Sequence, residues 1–158
     1  FPVELVRFEL VPDSGGPGRY RGGLSYVREY RMHGAGQFST RDGDRLTPPL
    51  GRGGGAPGSS GATIVNPGTP DEHRVTARDG NVRLKAGDVL RREMAGAGGY
   101  GNPLERDLDA VLEDVNNRYV SPQAARESYG VVVVPRGRGW VIDHPATQAL
   151  RSDRTMQS

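Results

Sequence analysis

Asp13, Arg19 and Arg21 share one short stretch of chain with Ser14 and five glycines: Gly15, Gly16, Gly18, Gly22 and Gly23. Glycines let backbone amides approach an anion closely, and two guanidinium groups add forked donors, so these residues have the makings of an anion-cradling loop. The same composition also serves a wide connection between paired strands, with the Asp13 carboxylate capping the turn. A second run, Gly96-Ala97-Gly98-Gly99-Tyr100-Gly101, has the G-x-G-x-x-G spacing of a dinucleotide loop. Its context departs from that motif, because Asn102-Pro103 delays the following helix, whereas a dinucleotide loop opens its helix within the motif so that amide dipoles meet pyrophosphate. Gly98, Gly99, Tyr100 and Gly101 are therefore second loop candidates without a nucleotide assigned to them.

Other chemistries have less behind them. The sequence contains no cysteine, which removes disulfides, thiolate nucleophiles and cysteine-ligated metals. His33, His73 and His144 are far apart and form no helical i, i+4 pair, so no metal site is expected. There is no Gly-x-Ser-x-Gly elbow and no G-x-x-x-x-G-K-[ST] phosphate loop, and no catalytic group can be named.

The elements that would position the two loops follow from periodicity. Residues 3–11 and 24–32 alternate as strands on either side of the first loop, Ala62-Thr63-Ile64-Val65 reads as a short strand, and Gly/Pro-rich text around it predicts ordered loops. Asp79-Gly80 between two alternating runs predicts a tight hairpin, continued into Val89-Leu90-Arg91-Arg92-Glu93-Met94 as a meander. Leu108, Val111, Leu112 and Val115 recur at i, i+3, i+4, i+7, the stripe of an amphipathic helix over about 107–117. Ser121 as N-cap, Pro122 at the first helical position and Gly130 past the end bound a second helix with Ala124, Ala125 and Tyr129 facing inward. A buried strand at Val131–Val134, a turn, a return strand at Trp140-Val141-Ile142 and a last helix from Pro145 to about Leu150 complete the chain, with residues 151–158 expected to fray. The fold class is α+β: mainly antiparallel strands and ordered Gly/Pro loops (residues 1–103), then a helical pair, a short closing hairpin and a last helix (residues 104–150) packed on the same domain.

Composition sets the limits. The 158 residues suit one domain, yet 24 glycines and 12 prolines leave a thin apolar core. All but one of the 21 basic residues is arginine, but they interleave with 19 acids to a net charge of +2, which is a mixed-charge surface and not a nucleic-acid footprint. No apolar run approaches the roughly 18 residues of a membrane span and no signal peptide is present, so the expected compartment is cytoplasmic. The sequence opens on Phe1, which suggests a processed start or a piece of something longer.

Several stretches in register resemble the C-terminal part of the hydantoinase B family: Phe1 to Glu4, Pro12-Asp13-Ser14-Gly15-Gly16 with Gly18 and Arg21-Gly22-Gly23-Leu24, Asn66-Pro67-Gly68, Gly87-Asp88-Val89-Leu90, Gly98 to Arg106, and Val120-Ser121-Pro122 through Tyr129-Gly130-Val131. The resemblance extends to Asp143–Leu150 and departs around Ser39–Pro49, where Arg41 and Gly53-Gly54 still correspond. It implies the B component of an ATP-dependent cyclic-amide hydrolase (N-methylhydantoinase or 5-oxoprolinase type), with acetone and acetophenone carboxylases as relatives. The implied partners are a hydantoinase A-type ATP-binding subunit and the N-terminal part of B, which carry ATP and a divalent metal, while this chain binds no cofactor and is inactive alone. The alternative it implies is a non-catalytic assembly module of an ATP-dependent ketone carboxylase. Asp13 to Gly23 and Arg41 become candidates for a substrate loop or an interface.

Overall fold

A computed structural model describes residues 2–39, 47–76 and 79–155. In chain order the described elements are β1 (Val3–Leu10), β2 (Tyr26–Met32), β3 (Gly36–Ser39), β4 (Ala62–Val65), β5 (His73–Arg74), β6 (Asn81–Leu84), β7 (Val89–Glu93), α1 (Leu108–Asn116), α2 (Pro122–Tyr129), β8 (Val133–Arg136), β9 (Gly139–Ile142) and α3 (His144–Thr155). The main sheet runs β1-β2-β7-β4-β5 and is antiparallel at every pairing, beside two smaller two-stranded sheets, β3-β6 and β8-β9. The fold is α+β, with β1 and β2 paired across the first glycine loop as their alternation predicts.

Two strand expectations change. Gly80 takes the positive φ of a tight turn, +60°, yet among the described residues, which leave out Ala77 and Arg78, the strands beside it do not pair with each other: β5 joins β4, and β6 joins β3, a four-residue strand that the glycine-led text at Gly36 conceals. Turn chemistry is local, whereas pairing follows burial. Val75 and Leu84 both enter a cluster with Met32, Val65 and Leu90, which long-range pairing assembles and a local meander does not. The Val131–Val134 run is also not uniformly buried: Val131 is fully buried, whereas Val134 is 39% exposed on the short β8-β9 hairpin.

The helices follow their capping signals. The Asp107 carboxylate accepts from the Ala110 amide (3.0 Å) at the start of α1, and the Ser121 hydroxyl accepts from the Ala124 amide (3.0 Å) at the start of α2. Val111, Val115, Val120, Ala125, Tyr129 and Val131 form a second apolar cluster, with Trp140 and Ile142 of β9 packed on it. Asp143 caps α3 by accepting from the Ala146 amide (3.0 Å), and this helix continues to Thr155, past the Leu150 end expected from sequence.

Gly130 ends α2 in the left-handed conformation (φ 63°, ψ 31°), and a Cβ there would meet the side chains of Arg151 and Leu104 at 3.1 Å. Gly130→Ala is therefore expected to destabilise by about 1–2 kcal/mol through left-handed strain, seen as a lowered urea midpoint with unchanged slope.

Candidate functional site

Both candidate glycine loops belong to one construction. Three segments, 14–23 between β1 and β2, 49–59 ahead of β4, and 95–101 after β7, lie backbone against backbone. Gly16 donates to the Ala97 carbonyl (2.8 Å), Ala56 to Pro17 (2.7 Å), Gly99 to Ala56 (2.9 Å), Ser59 to Ser14 (2.8 Å), and Tyr20 and Tyr100 bond each other in both directions (2.9 Å). The glycines permit this approach. A Cβ at Gly16, Gly22, Gly55, Gly96 or Gly99 would fall on a carbonyl oxygen of a neighbouring segment. The hydrogen-bonding groups that a side-chain core would leave to a regular sheet are satisfied here between glycine strands.

This arrangement determines where each predicted residue goes. The Gly16 and Gly22 amides point at the Ala97 and Gly16 carbonyls, so neither is free for an anion. Ser14 is buried, donating to the Val11 carbonyl (2.6 Å) and accepting from the Ser25 amide (2.7 Å). Asp13, at φ 60°, does not cap its own turn; its carboxylate accepts from the Ser121 amide (2.7 Å) and its amide donates to the Tyr119 carbonyl (3.0 Å), pinning the bundle to the α1–α2 connection. Gly15 and Gly18 are packed like Gly16, Gly23 is exposed with open space around it, and Arg41 lies outside the described residues. Gly98, Gly99 and Gly101 of the second loop interleave with Leu50, Pro17 and Arg19, so the two loops pack as one unit.

Arg21 is committed inward. Its Nε and Nη2 donate to the two oxygens of Asp114 on α1 (3.0 and 3.1 Å), while Nη1 donates to the Gly22 carbonyl (2.7 Å). Arg106 completes a triad, giving Nη2 to Asp114 (2.9 Å) and Nη1 to the Arg19 carbonyl (3.1 Å). With only 8% of its side chain exposed, Asp114 is a nearly buried carboxylate neutralised by two guanidinium groups. The sequence reading missed Asp114. Its signal was a carboxylate three residues after Val111, beside the apolar stripe of α1.

Tyr129 lies in the same electrostatic field, its phenol oxygen buried without a hydrogen-bond partner among the described residues. Burial pushes its pKa up to about 12, against the lowering influence of Arg106 and Arg21. A folded-state value above the ordinary 10 gives stability that is complete below pH 10 and lost as pH rises toward 12. Unfolding midpoints are thus expected to fall between pH 10 and 12, and Tyr129→Phe to flatten that fall.

A second link joins two stretches singled out by sequence. Asn66, at φ 52°, donates its amide nitrogen to Asp88 (3.0 Å) and accepts from the Val89 amide (2.9 Å), while Asp88 also accepts from the Lys85 amide (2.8 Å). Burial alone would raise the Asp88 pKa; the Lys85 amide, Asn66 and the Lys85 charge together outweigh it and hold the carboxyl below its usual range. These groups fasten the turn after β4 to β7.

What the bundle leaves exposed is its tip. Arg19, Tyr20, Arg52 and Tyr100 come together there: the tyrosine rings are 6.4 Å apart, the Arg19 guanidinium stands 5.8 Å from the Tyr20 ring and 3.8 Å from the Glu105 carboxylate, and the backbone of Arg52 pairs with that of Gly99 and Gly101 on either side of Tyr100 (2.9 Å). Tyr20 and Tyr100 are about 60% exposed, and neighbouring Leu50 is 79% exposed. Two exposed phenols, a guanidinium and an apolar side chain on a rigid base suit the holding of a planar group or of a partner surface. Among the described residues no group of three His, Asp or Glu stands in position to hold a metal ion.

Comparison with known proteins places this architecture. The family model described as Hydantoinase B/oxoprolinase matches residues 1–103, and the chain belongs to that family. It is 30% identical to the beta chain of caprolactamase from Pseudomonas jessenii, over 96% of this chain and 26% of that protein. It is 28% identical to the B component of a putative D-/L-hydantoinase from a Pseudomonas species, over 96% of this chain and 25% of that protein. The crystal structure of the ATP-dependent caprolactamase from Pseudomonas jessenii superposes with a TM-score of 0.79 at 29% identity, covering 96% of this chain and 26% of that one. A nucleotide-free acetone carboxylase shares the fold at a TM-score of 0.73 and 23% identity, covering 99% of this chain and 26% of that one. The chain thus spans about a quarter of the length of these relatives.

Proposed function

We propose that this segment is part of the B component of an ATP-dependent cyclic-amide hydrolase of the hydantoinase or 5-oxoprolinase type, acting only with an A-type ATP-binding subunit and the rest of B. The observation that carries this reading is the likeness to the ATP-dependent caprolactamase, at 29% identity and TM-score 0.79, above the 23% and 0.73 for acetone carboxylase. A lactam and a hydantoin share a ring amide whose carbonyl resists water until it is activated. In this reading ATP and a divalent metal belong to other subunits, which activate that carbonyl, and the B component completes ring opening. The segment contributes a rigid bundle presenting Arg19, Tyr20, Arg52 and Tyr100, a surface whose residues hold a group in place. The compartment proposed is the cytoplasm, where ATP is at hand; no helix among the described residues is long and apolar enough to cross a membrane.

The internal commitment of Arg21 and of the bundle amides favours a second reading, an assembly module of an ATP-dependent ketone carboxylase. Assays of the intact assembly separate the two. ATP-dependent opening of 5-oxoproline, a hydantoin or caprolactam supports the hydrolase, while bicarbonate-dependent ATP consumption with a ketone replaces it. The 158-residue chain alone is expected to give no turnover with ATP and any cyclic amide, and turnover by it would overturn the subunit reading.

A further inference from the structure

Strand β1 is the edge of the main sheet, and seven of its eight residues are exposed. Val3, Leu5, Phe8 and Leu10 are 36, 52, 59 and 49% exposed, half of the large exposed apolar side chains among the described residues. Their spacing changes parity between Leu5 and Phe8, and the β-bulge between Leu5 and Arg7 compensates for it. Val3, Leu5, Phe8 and Leu10 sit opposite Met32, Tyr30, Arg28 and Tyr26, so all four share one face. On the opposite face of β1 Arg7 lies between Glu9 and Glu29. A strand whose bulge gathers its apolar residues on an uncovered face is built to be covered.

The same face continues into a groove of about 310 Å3 lined by Val3, Tyr30, Met32, Phe38, Leu90 and Arg92. Two cations there lack acceptors among the described residues. The Arg92 Nε is buried without a hydrogen-bond partner, and the Arg28 guanidinium is stacked 4.9 Å from the Phe8 ring and 4.7 Å from the Tyr26 ring, with no carboxylate against it.

We propose that this face is the joint to the rest of the B polypeptide: an amphipathic β-strand from outside residues 1–158 adds to the free edge of β1, seats an apolar side chain in the groove and places a carboxylate against Arg28. The proposal rests on the B-component reading. In the relatives the matching segment is about a quarter of one longer chain, so a covering strand has ample chain outside the matched residues to come from. A tethered strand reaches effective concentrations in the millimolar range, which favours it over a second copy. Edge backbone groups supply affinity and the alternate apolar side chains supply register, as in other strand additions.

The test uses the intact B-type assembly isolated from its host, with the photoreactive residue p-benzoylphenylalanine in place of Phe8. The expected cross-link joins β1 to a peptide of the B polypeptide outside residues 1–158, and the β1 amides not bonded to β2 are expected to exchange slowly. A cross-link to β1 of a second copy, a cross-link to the ATP-binding subunit, or fast exchange of those amides without a cross-link would overturn the proposal. Leu5→Glu with Phe8→Glu should reduce recovered assembly by about tenfold, and Glu4→Gln on the charged face should leave it unchanged; equal recovery of both variants also counts against the joint. Turnover is read on the same preparation. A cross-link without ATP-dependent turnover keeps the joint and removes the functional reading, while turnover without the cross-link does the reverse.

Discussion

Asp114→Ala is expected to lower stability by about 3–5 kcal/mol, because it leaves two partly buried guanidinium groups without their carboxylate. In wild type both Asp114 oxygens are engaged, by Arg21 at 3.0 and 3.1 Å and by Arg106 at 2.9 Å. Removing the acceptor leaves each arginine one remaining bond, to the Gly22 and Arg19 carbonyls respectively, within a region that excludes most water. For a chain of this size the loss corresponds to a fall in Tm on the order of 10 °C. The triad joins α1, the first glycine segment and the connection before α1, so the loss should reach the bundle. Amide exchange in segments 14–23 and 95–101 should accelerate together. A shift of less than about 1 kcal/mol, the range of an exposed pair, would show that the triad is solvated and without structural weight.

Adjacent glycines give the second large effect. A Cβ on Gly22 would overlap the Ala97 carbonyl, a backbone group with no side-chain freedom to yield, whereas a Cβ on Gly23 meets nothing within 4 Å. Gly22→Ala must separate two segments bonded through Gly16 to Ala97 and Ala97 to Gly23, and is expected to cost about 3 kcal/mol or more, at or beyond the upper range for overpacking. Gly23→Ala is expected to be neutral or to stabilise by up to about 1 kcal/mol, because it only narrows the unfolded ensemble. Denaturant unfolding of the two variants side by side separates close packing from flexibility as the reason for these glycines. Equal behaviour would contradict the backbone-packed bundle.

The contrast between these two positions shows what the sequence can and cannot reveal. Ser121, Pro122 and Gly130 announce the ends of α2 because capping is local chemistry, and all three occupy the positions their types predict. The β1–β2 pairing was legible for a similar reason, two alternating runs flanking one loop. The partners of β4, β6 and β7 were not, since burial of Val75, Leu84 and Leu90 in one cluster is decided across long stretches of chain.

The glycine loops were the hardest to read. A glycine has no side chain to indicate direction, so the composition that fits an anion cradle fits a backbone-packed bundle equally well. Only the hydrogen-bond directions of Gly16, Gly22 and Gly99 distinguish them. Family resemblance singled out Asn66-Pro67-Gly68 and Gly87-Asp88 without revealing that Asn66 and Asp88 bond each other. Arg19 and Arg21, equivalent in the text, separate in space: one stands on the exposed tip and the other sits inside the triad.

The central claim, that this segment works only within a larger ATP-dependent assembly, is tested most directly by native mass spectrometry of the complex purified from its own host, with each co-purifying polypeptide identified. The account predicts one assembly containing an ATP-binding subunit of the A type and the complete B component, this segment included. A 158-residue monomer or homo-oligomer recovered without companions would contradict it.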